Sequence, residues 1–400
     1  MRNIAFALLS AAVAAFASAG EIVYEDPAAR SGDVATPRVK LPGKGGRYFK
    51  CSFTARAFAK AVDGSQLDFY QGVFFRNAAG EMLPDCHDTL YQGEAPRRYE
   101  RVLYAWDEVD TVELFFRRPW NLKPERGDTF TLEVSDIRIE TATWQEAAAY
   151  CDSVYAGLPA LDFKPDGDWT KLIPRTMEAL RSGRPWRVVM LGDSIVQDTF
   201  NSQFHALVKR AFPKSNAEWI ISMRGGTGCW HYILADNFYR HVVDHRPDLL
   251  LIGGISNSKT HNESETGREI GPTGPDAMLR VAKLARERLG CEVLVVNNAL
   301  SVDFRPYDAR RPDKPLAKMA FDLAAHERVH GEELRYGELR DRCAAEGVQW
   351  WDAFLPCNRW LYASGLPHGF YSRDKVHSSE LGKQLIGRVM LAYLTSGEGE

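Results

Sequence analysis

The period of the apolar residues changes once along this 400-residue chain, and that change limits what each part can fold into. From about Gly20 to about Thr143 the apolar runs are short, alternating or aromatic, and separated by Gly, Pro, Asn and Asp. They fall at residues 48–53, 70–75, 111–116 and 129–134, the last continuing through 135–140. Successive side chains of a strand point to opposite faces, so short runs of this kind with turn residues between them predict an antiparallel β-sandwich. Beyond Thr143 the runs become continuously apolar, at 187–191, 219–222, 248–252, 292–296 and 348–351. Helical patterns follow several of them. One places Ile195, Phe204, Leu207, Val208 and Ala211 on a single face, and others lie near 275–289, 314–345 and 379–395. Strands buried on both sides and alternating with helices predict a parallel sheet covered on both faces.

The first nineteen residues stand apart from both patterns. Arg2 supplies a positive start, residues 4–16 are almost wholly apolar, and Ala17-Ser18-Ala19 has the small-x-small form of a signal-peptide cleavage site, which predicts export and cleavage before Gly20. The apolar run is shorter than the roughly 20 residues that span a bilayer, and no Cys follows it, so a membrane or lipid anchor is not expected. Lys plus Arg total 50 against 53 Asp plus Glu, a net charge of −3 that offers no general attraction for a polyanion such as nucleic acid. All seven cysteines lie beyond the cleavage site. An oxidising compartment would allow some to pair, the odd number leaves at least one unpaired, and Cys291, inside an apolar run, reads as a buried free thiol.

In parallel sheets of this kind functional groups gather at the carboxyl ends of the strands. Directly after the 187–191 run comes Gly192-Asp193-Ser194, where a helix begins. A serine on that turn presents its hydroxyl at the sheet edge, with helix N–H groups nearby to favour a developing negative charge. A nucleophilic serine needs a general base, and the base needs an acceptor on its other nitrogen. His377 lies just before the last helix with Asp374 three residues earlier on the same short loop, so the loop can supply both. Two further turns each follow a strand: residues 224–228, containing Gly225 and Gly226, and residues 253–257, containing Gly254, Ser256 and Asn257. A glycine N–H and an amide from these turns can join the Ser194 N–H as donors to an oxyanion, although Gly and Asn are common in turns for conformational reasons alone.

Across roughly residues 185–397 the chain resembles the SGNH hydrolases, also called GDSL esterases and lipases. That family carries a Ser in Gly-Asp-Ser, a Gly, an Asn, and a His in Asp-x-x-His, and all four blocks stand here in that order. The resemblance implies a flavodoxin-like three-layer α/β hydrolase domain at 144–400, behind the β-sandwich at 20–143. It makes Ser194 the nucleophile, His377 the base and Asp374 its partner, with Gly226 and Asn257 completing the oxyanion hole. The third block departs from the family pattern. Gly254 and Asn257 are three apart where two is usual, which leaves Ser256 as an alternative, and Gly225 competes with Gly226.

The implied reaction is ester hydrolysis through an acyl-enzyme, needing neither metal nor organic cofactor. The closing strand of the first part is of the sort found in carbohydrate-binding jelly rolls, and exported two-domain chains of this type are similar to bacterial esterases that deacetylate polysaccharides. The expected substrate is therefore an O-acetylated carbohydrate, with Arg224, Trp230 and His231 beside the second block as pocket residues or as loop packing. A lipase or thioesterase is the alternative enzyme. A noncatalytic glycan-binding protein is the alternative of another class, opposed by the intact Ser194, Asp374 and His377. The sandwich is expected to fold separately and to matter most for polymeric substrates.

Overall fold

The computed structural model describes residues 20–64, 67–253, 274–297, 336–365, 371–373 and 377–398. The first part forms two antiparallel sheets. In one, β1 (Ile22–Asp26), β10 (Thr129–Ala142), β5 (Arg47–Lys60) and β8 (Arg97–Ala105) lie side by side, and β2 (Arg30–Ser31) also pairs with β10. In the other the order is β3 (Val34–Ala35), β9 (Thr111–Arg117), β6 (Tyr70–Arg76) and β7 (Cys86–Thr89), with β4 (Val39–Lys40) also on β9. The expected strands at 48–53, 70–75 and 111–116 fall within β5, β6 and β9. The run from 129 to 140 is one strand, its register shifting between Ser135 and Arg138 where Asp136 takes a positive φ of 51°. That irregularity is a β-bulge, which bends a long strand without ending it.

Strand β10 ends at Ala142, and Thr143 caps the helix α1 (Trp144–Tyr155) through a reciprocal capping box with Glu146. The parallel sheet follows, in the order β12 (Asn216–Met223), β11 (Pro185–Gly192), β13 (Leu249–Ile252), β14 (Glu292–Asn297), β15 (Gln349–Asp352). The chain leaves β11 for β12 on one side and then crosses to β13 on the other. The carboxyl end of β11 is thus the point where the winding direction reverses, the usual place for a site in an open parallel sheet. The described helices of this part are α2 (Pro174–Ser182), α3 (Ser194–Phe200), α4 (Phe204–Ala211), α5 (Gly274–Leu289), α6 (Tyr336–Ala345), α7 (Phe354–Ser364) and α8 (Glu380–Leu394), together with a short turn at Ala235–Phe238. The pattern from Ile195 to Ala211 predicts one helix, and the structure has two. Gln203, at φ 59°, turns the chain between α3 and α4 with neither Gly nor Pro to signal it. Of the helix expected over 314–345, residues 314–335 lie outside the described residues.

The largest apolar cluster among the described residues runs through both parts, taking in Phe53, Phe75 and Trp106 from the sandwich and Val189, Phe200 and Leu251 around the parallel sheet. Trp106 meets Phe200 edge-on, with ring centroids 5.6 Å apart. The Tyr48 hydroxyl bonds to His205 Nδ1 at 2.9 Å, and burial among these rings lowers the His205 pKa to about 3. Charged side chains are buried on the same seam. Lys383 Nζ on α8 is 3.1 Å from Asp88 on β7, and Arg101 on β8 is 2.8 Å from Glu380 on α8. The sequence reading treats residues 20–143 as separately folding. A shared core and a buried charge cluster instead join that segment to α3, α4 and α8.

All seven cysteines are buried, Cys291 among them. Among the described residues no helix is long and apolar enough to cross a membrane.

Candidate active site

Strand β11 delivers Ser194 to the reversal point by a turn that only glycine permits at position 192. A Cβ on Gly192 would sit 2.4 Å from Val196 Cγ2 and 2.9 Å from the Gly253 carbonyl oxygen. Asp193, buried, is the N-cap of α3, its Oδ1 accepting the Ile195 N–H at 2.9 Å. Ser194 is therefore the first residue of α3. Its Oγ lies 2.8 Å from Nε2 of His377, hydrogen-bonding distance between a nucleophile and its base. Both residues are half-buried, so the pair is shielded by protein without being sealed from solvent.

The loop carrying His377 is a short hairpin. Ser372 and Ser378 form an antiparallel bridge, and the Arg373 N–H donates to the His377 carbonyl at 3.0 Å. Ser379 then caps α8. The hairpin is fastened to the helix that holds the nucleophile. Asp198, one turn after Ser194, accepts from Arg373 Nη1 at 2.7 Å through Oδ1 and from the Ser378 N–H at 2.8 Å through Oδ2. Arg373 Nη1 also donates to the Ser378 carbonyl at 3.1 Å. Asp198 and Arg373 are both buried, where a charge-assisted pair holds geometry closely and breaking it is costly. One helix thus sets both the serine and the height of the histidine above it.

The second turn lies beside the first because β12 pairs with β11 in parallel register, Met223 opposite Gly192. The Arg224 N–H donates to the Gly192 carbonyl at 3.2 Å, and Tyr232, wholly buried, bonds the same carbonyl through its hydroxyl. Gly225 and Gly226 follow directly. Gly226 has φ 67°, a left-handed conformation that favours glycine, whereas Gly225 has no positive φ. The third strand end is fixed as far as Gly253, whose N–H donates to the Leu191 carbonyl at 2.9 Å. Asp374, Gly254, Ser256 and Asn257 lie outside the described residues. Ser194 and His377 are brought together, and Gly225 and Gly226 stand just past the carboxyl end of β12, the strand next to β11.

Beside Arg224 and Gly225 begins a groove of about 730 Å³, walled by residues 77 and 81–84 of the sandwich on one side and by the edge strand β12 with Arg240, His241 and Asp244 on the other. Burial, with the nearby Arg224 and Arg240 cations, lowers the pKa of His231 to about 4, and burial with His231 beside it does the same for His241. His231 packs edge-on against Trp230 and Tyr232, and its Nδ1 lies 3.2 Å from the Asn237 amide. His231 is thus held by the loop around it. Among the described residues no cluster of three His, Cys, Asp or Glu side chains is placed to hold a metal ion.

No protein-family model and no curated protein matches the sequence. Similar solved structures include a two-domain esterase active on acetylated mannans, at 15% identity over 58% of this chain and 55% of that one, with a TM-score of 0.39. Another is a protein of Parabacteroides merdae classed as a GDSL-like lipase, at 15% identity over 52% of this chain and 95% of that one, TM-score 0.36. A third is a carbohydrate esterase family 2 enzyme with a carbohydrate-binding domain from Corynascus thermopiles (Myceliophthora fergusii), at 12% identity over 93% of this chain and 100% of that one, TM-score 0.34. The chain spans little more than half the length of the mannan-active esterase. Besides the residues expected from the sequence, Asp198, Tyr232 and Arg373 build the site.

Proposed function

We propose that the protein is a serine esterase that removes O-acyl groups, foremost O-acetyl, from a carbohydrate. The observation that carries this reading is the 2.8 Å approach of His377 Nε2 to Ser194 Oγ at the reversal point of a parallel sheet. In the proposed reaction His377 takes the Ser194 proton as Oγ attacks the ester carbonyl carbon. The carbonyl oxygen becomes an oxyanion held by the N–H groups of Ser194 and Gly226 and by the Asn257 amide, and Asp374 orients the imidazolium. Collapse expels the alcohol, which takes its proton from His377. Water, deprotonated by the same histidine, then releases the acid and frees the serine. All proton traffic passes through one imidazole, and every group named belongs to the chain.

The groove between the sandwich and β12 supports a carbohydrate as the alcohol part. Asn77, Glu81, Glu108, Arg240 and Asp244 give it hydrogen-bonding groups of both kinds along its length, suited to a polyhydroxylated chain more than to an acyl tail. With this reading go three structural proposals: an exported protein cleaved before Gly20, a division into 20–143 and 144–400, and helices on both faces of the parallel sheet.

The test is active-site labelling by a fluorophosphonate followed by hydrolysis of p-nitrophenyl esters of increasing chain length. Labelling at Ser194, absent in Ser194→Ala, with turnover highest on acetate and release of acetate from an acetylated polysaccharide, is the expected result. Preference for long acyl chains favours a lipase, and a folded protein that neither labels nor turns over refutes the esterase.

A further inference from the structure

The hairpin of His377 is held from a second direction, by the sandwich. His87 on β7 places Nε2 3.3 Å from Arg373 Nη2 and Nδ1 3.2 Å from Asp85 Oδ2. A guanidinium has donors only, so His87 accepts from Arg373 at Nε2, and its ring proton sits on Nδ1 and points to Asp85. Asp85 in turn accepts from the Gln197 side-chain amide at 2.5 Å through Oδ1. Gln197 is three residues after Ser194 on α3, next to Asp198. The contacts close a ring: from α3 to Asp85, to His87, to Arg373, to Asp198 and back to α3. The backbone of the His377 hairpin is tied into that ring through Ser378.

Arg373 is held at both ends of its fork. Asp198 fixes Nη1 and His87 fixes Nη2, so the guanidinium plane cannot swing about its bond to Asp198. Removing the His87 contact leaves the buried charge pair intact but loosens the fork at Nη2, and with it the hairpin whose Ser378 carbonyl hangs on Nη1. We propose that His87 and Asp85 are positioning residues for the Ser194–His377 pair, acting through Arg373 and Gln197, so that the antiparallel part of the chain completes the active site. The inference rests on the esterase reading of that pair.

The experiment uses the full mature chain, with kcat and KM on p-nitrophenyl acetate, active sites titrated by fluorophosphonate, and the thermal midpoint measured alongside. A displacement near 1 Å costs up to about 100-fold, so His87→Ala is expected to lower kcat per titrated site by about 10- to 100-fold with KM within about twofold of wild type. His87→Gln, which returns an acceptor oxygen near the place of Nε2, is expected to recover kcat to within about threefold of wild type. A merely structural His87 would change the midpoint or the titratable fraction and leave kcat per site unchanged. That outcome overturns the proposal, as does equal loss in the Ala and Gln variants. If His87→Ala does not fold, Asp85→Asn and His87→Gln decide. Loss of kcat per site in the first with retention in the second supports the ring, and retention in both refutes it. Wild-type protein that does not label at Ser194 overturns the esterase reading itself and this inference with it.

Discussion

Lys383→Met tests how firmly the two parts of the chain are joined. Lys383 is wholly buried on α8, with Nζ 3.1 Å from Asp88, itself almost fully buried on β7. Asp88 is also 3.4 Å from Arg101, and Arg101 is 2.8 Å from Glu380, so two cations face two carboxylates within one enclosed cluster. Methionine keeps the length of the side chain and removes the charge, so Asp88 loses a cation held 3.1 Å away in the same enclosed cluster. Breaking a buried pair by removing one partner costs about 3–5 kcal/mol. At an unfolding entropy of about 2.1 cal/mol/K per residue a chain of this size shifts by roughly 1.3 °C per kcal/mol, so the thermal midpoint should fall by roughly 4–6 °C. Burial opposes the Asp88 carboxylate, but Lys383 and Arg101 outweigh it and hold the group well below its ordinary pKa. A depressed folded value contributes stability that is present above the unfolded value of about 3.9 and lost as pH falls through the folded one. The variant loses most of that depression, so its deficit should be widest near pH 7 and narrow in acid. Denaturant melts followed by circular dichroism at pH 7 and, below the unfolded value, at about pH 2.5 measure both. The double variant Asp88→Asn, Lys383→Met removes the stranded charge while keeping the Arg101–Glu380 pair, and it should be more stable than Lys383→Met alone. A single-variant deficit below about 1 kcal/mol, or a double variant no better than the single, would refute the reasoning.

Three other outcomes are expected. Asp374→Asn should lower turnover by up to about 10⁴-fold, and less than His377→Ala does, because it spoils the tautomer and leaves the base in place; steady-state kinetics on p-nitrophenyl acetate check the order. Asn257→Ala should lower turnover by about 10²- to 10³-fold with little change in KM, and the same assay on Ser256→Ala shows which of the two is the oxyanion donor. A chain beginning near residue 145 strips Lys383, Glu380 and Arg373 of their sandwich partners, so it should be insoluble or inactive on small and polymeric esters alike; a soluble truncated protein with wild-type turnover on p-nitrophenyl acetate would contradict the shared core.

What the sequence shows and what it hides divide by range. Strands β5, β6, β9, β11 and β14 are legible because alternation or continuous apolarity marks them locally, and Gly-Asp-Ser and Asp-x-x-His are legible because each is a few adjacent residues. Strand β8, with Arg97, Arg98, Glu100 and Arg101, carries too many charges to look like a half-buried strand. Arg101 is tolerated there because Asp88 and Glu380 meet it from elsewhere in the chain. Asp198 and Arg373 look like surface charges for the same reason, since the pairing that buries them joins residues 175 positions apart. The break at Gln203 has no local signal, because the packing of α4 against α1 and α8 imposes the left-handed turn over the helical preference of the segment.

The seven thiols make the protein its own unfolding gauge. Burial raises the pKa of Cys86, Cys151 and Cys343 to about 12 and of Cys291 to about 11, so in the native state they are protonated and out of reach of alkylating reagents at neutral pH. Cys51 and Cys86 sit in the antiparallel sheets, Cys151 at the junction, and Cys229, Cys291, Cys343 and Cys357 around the parallel sheet. A pulse of maleimide during thermal or denaturant opening would write the order of events into the mass of each peptide, with no engineered label.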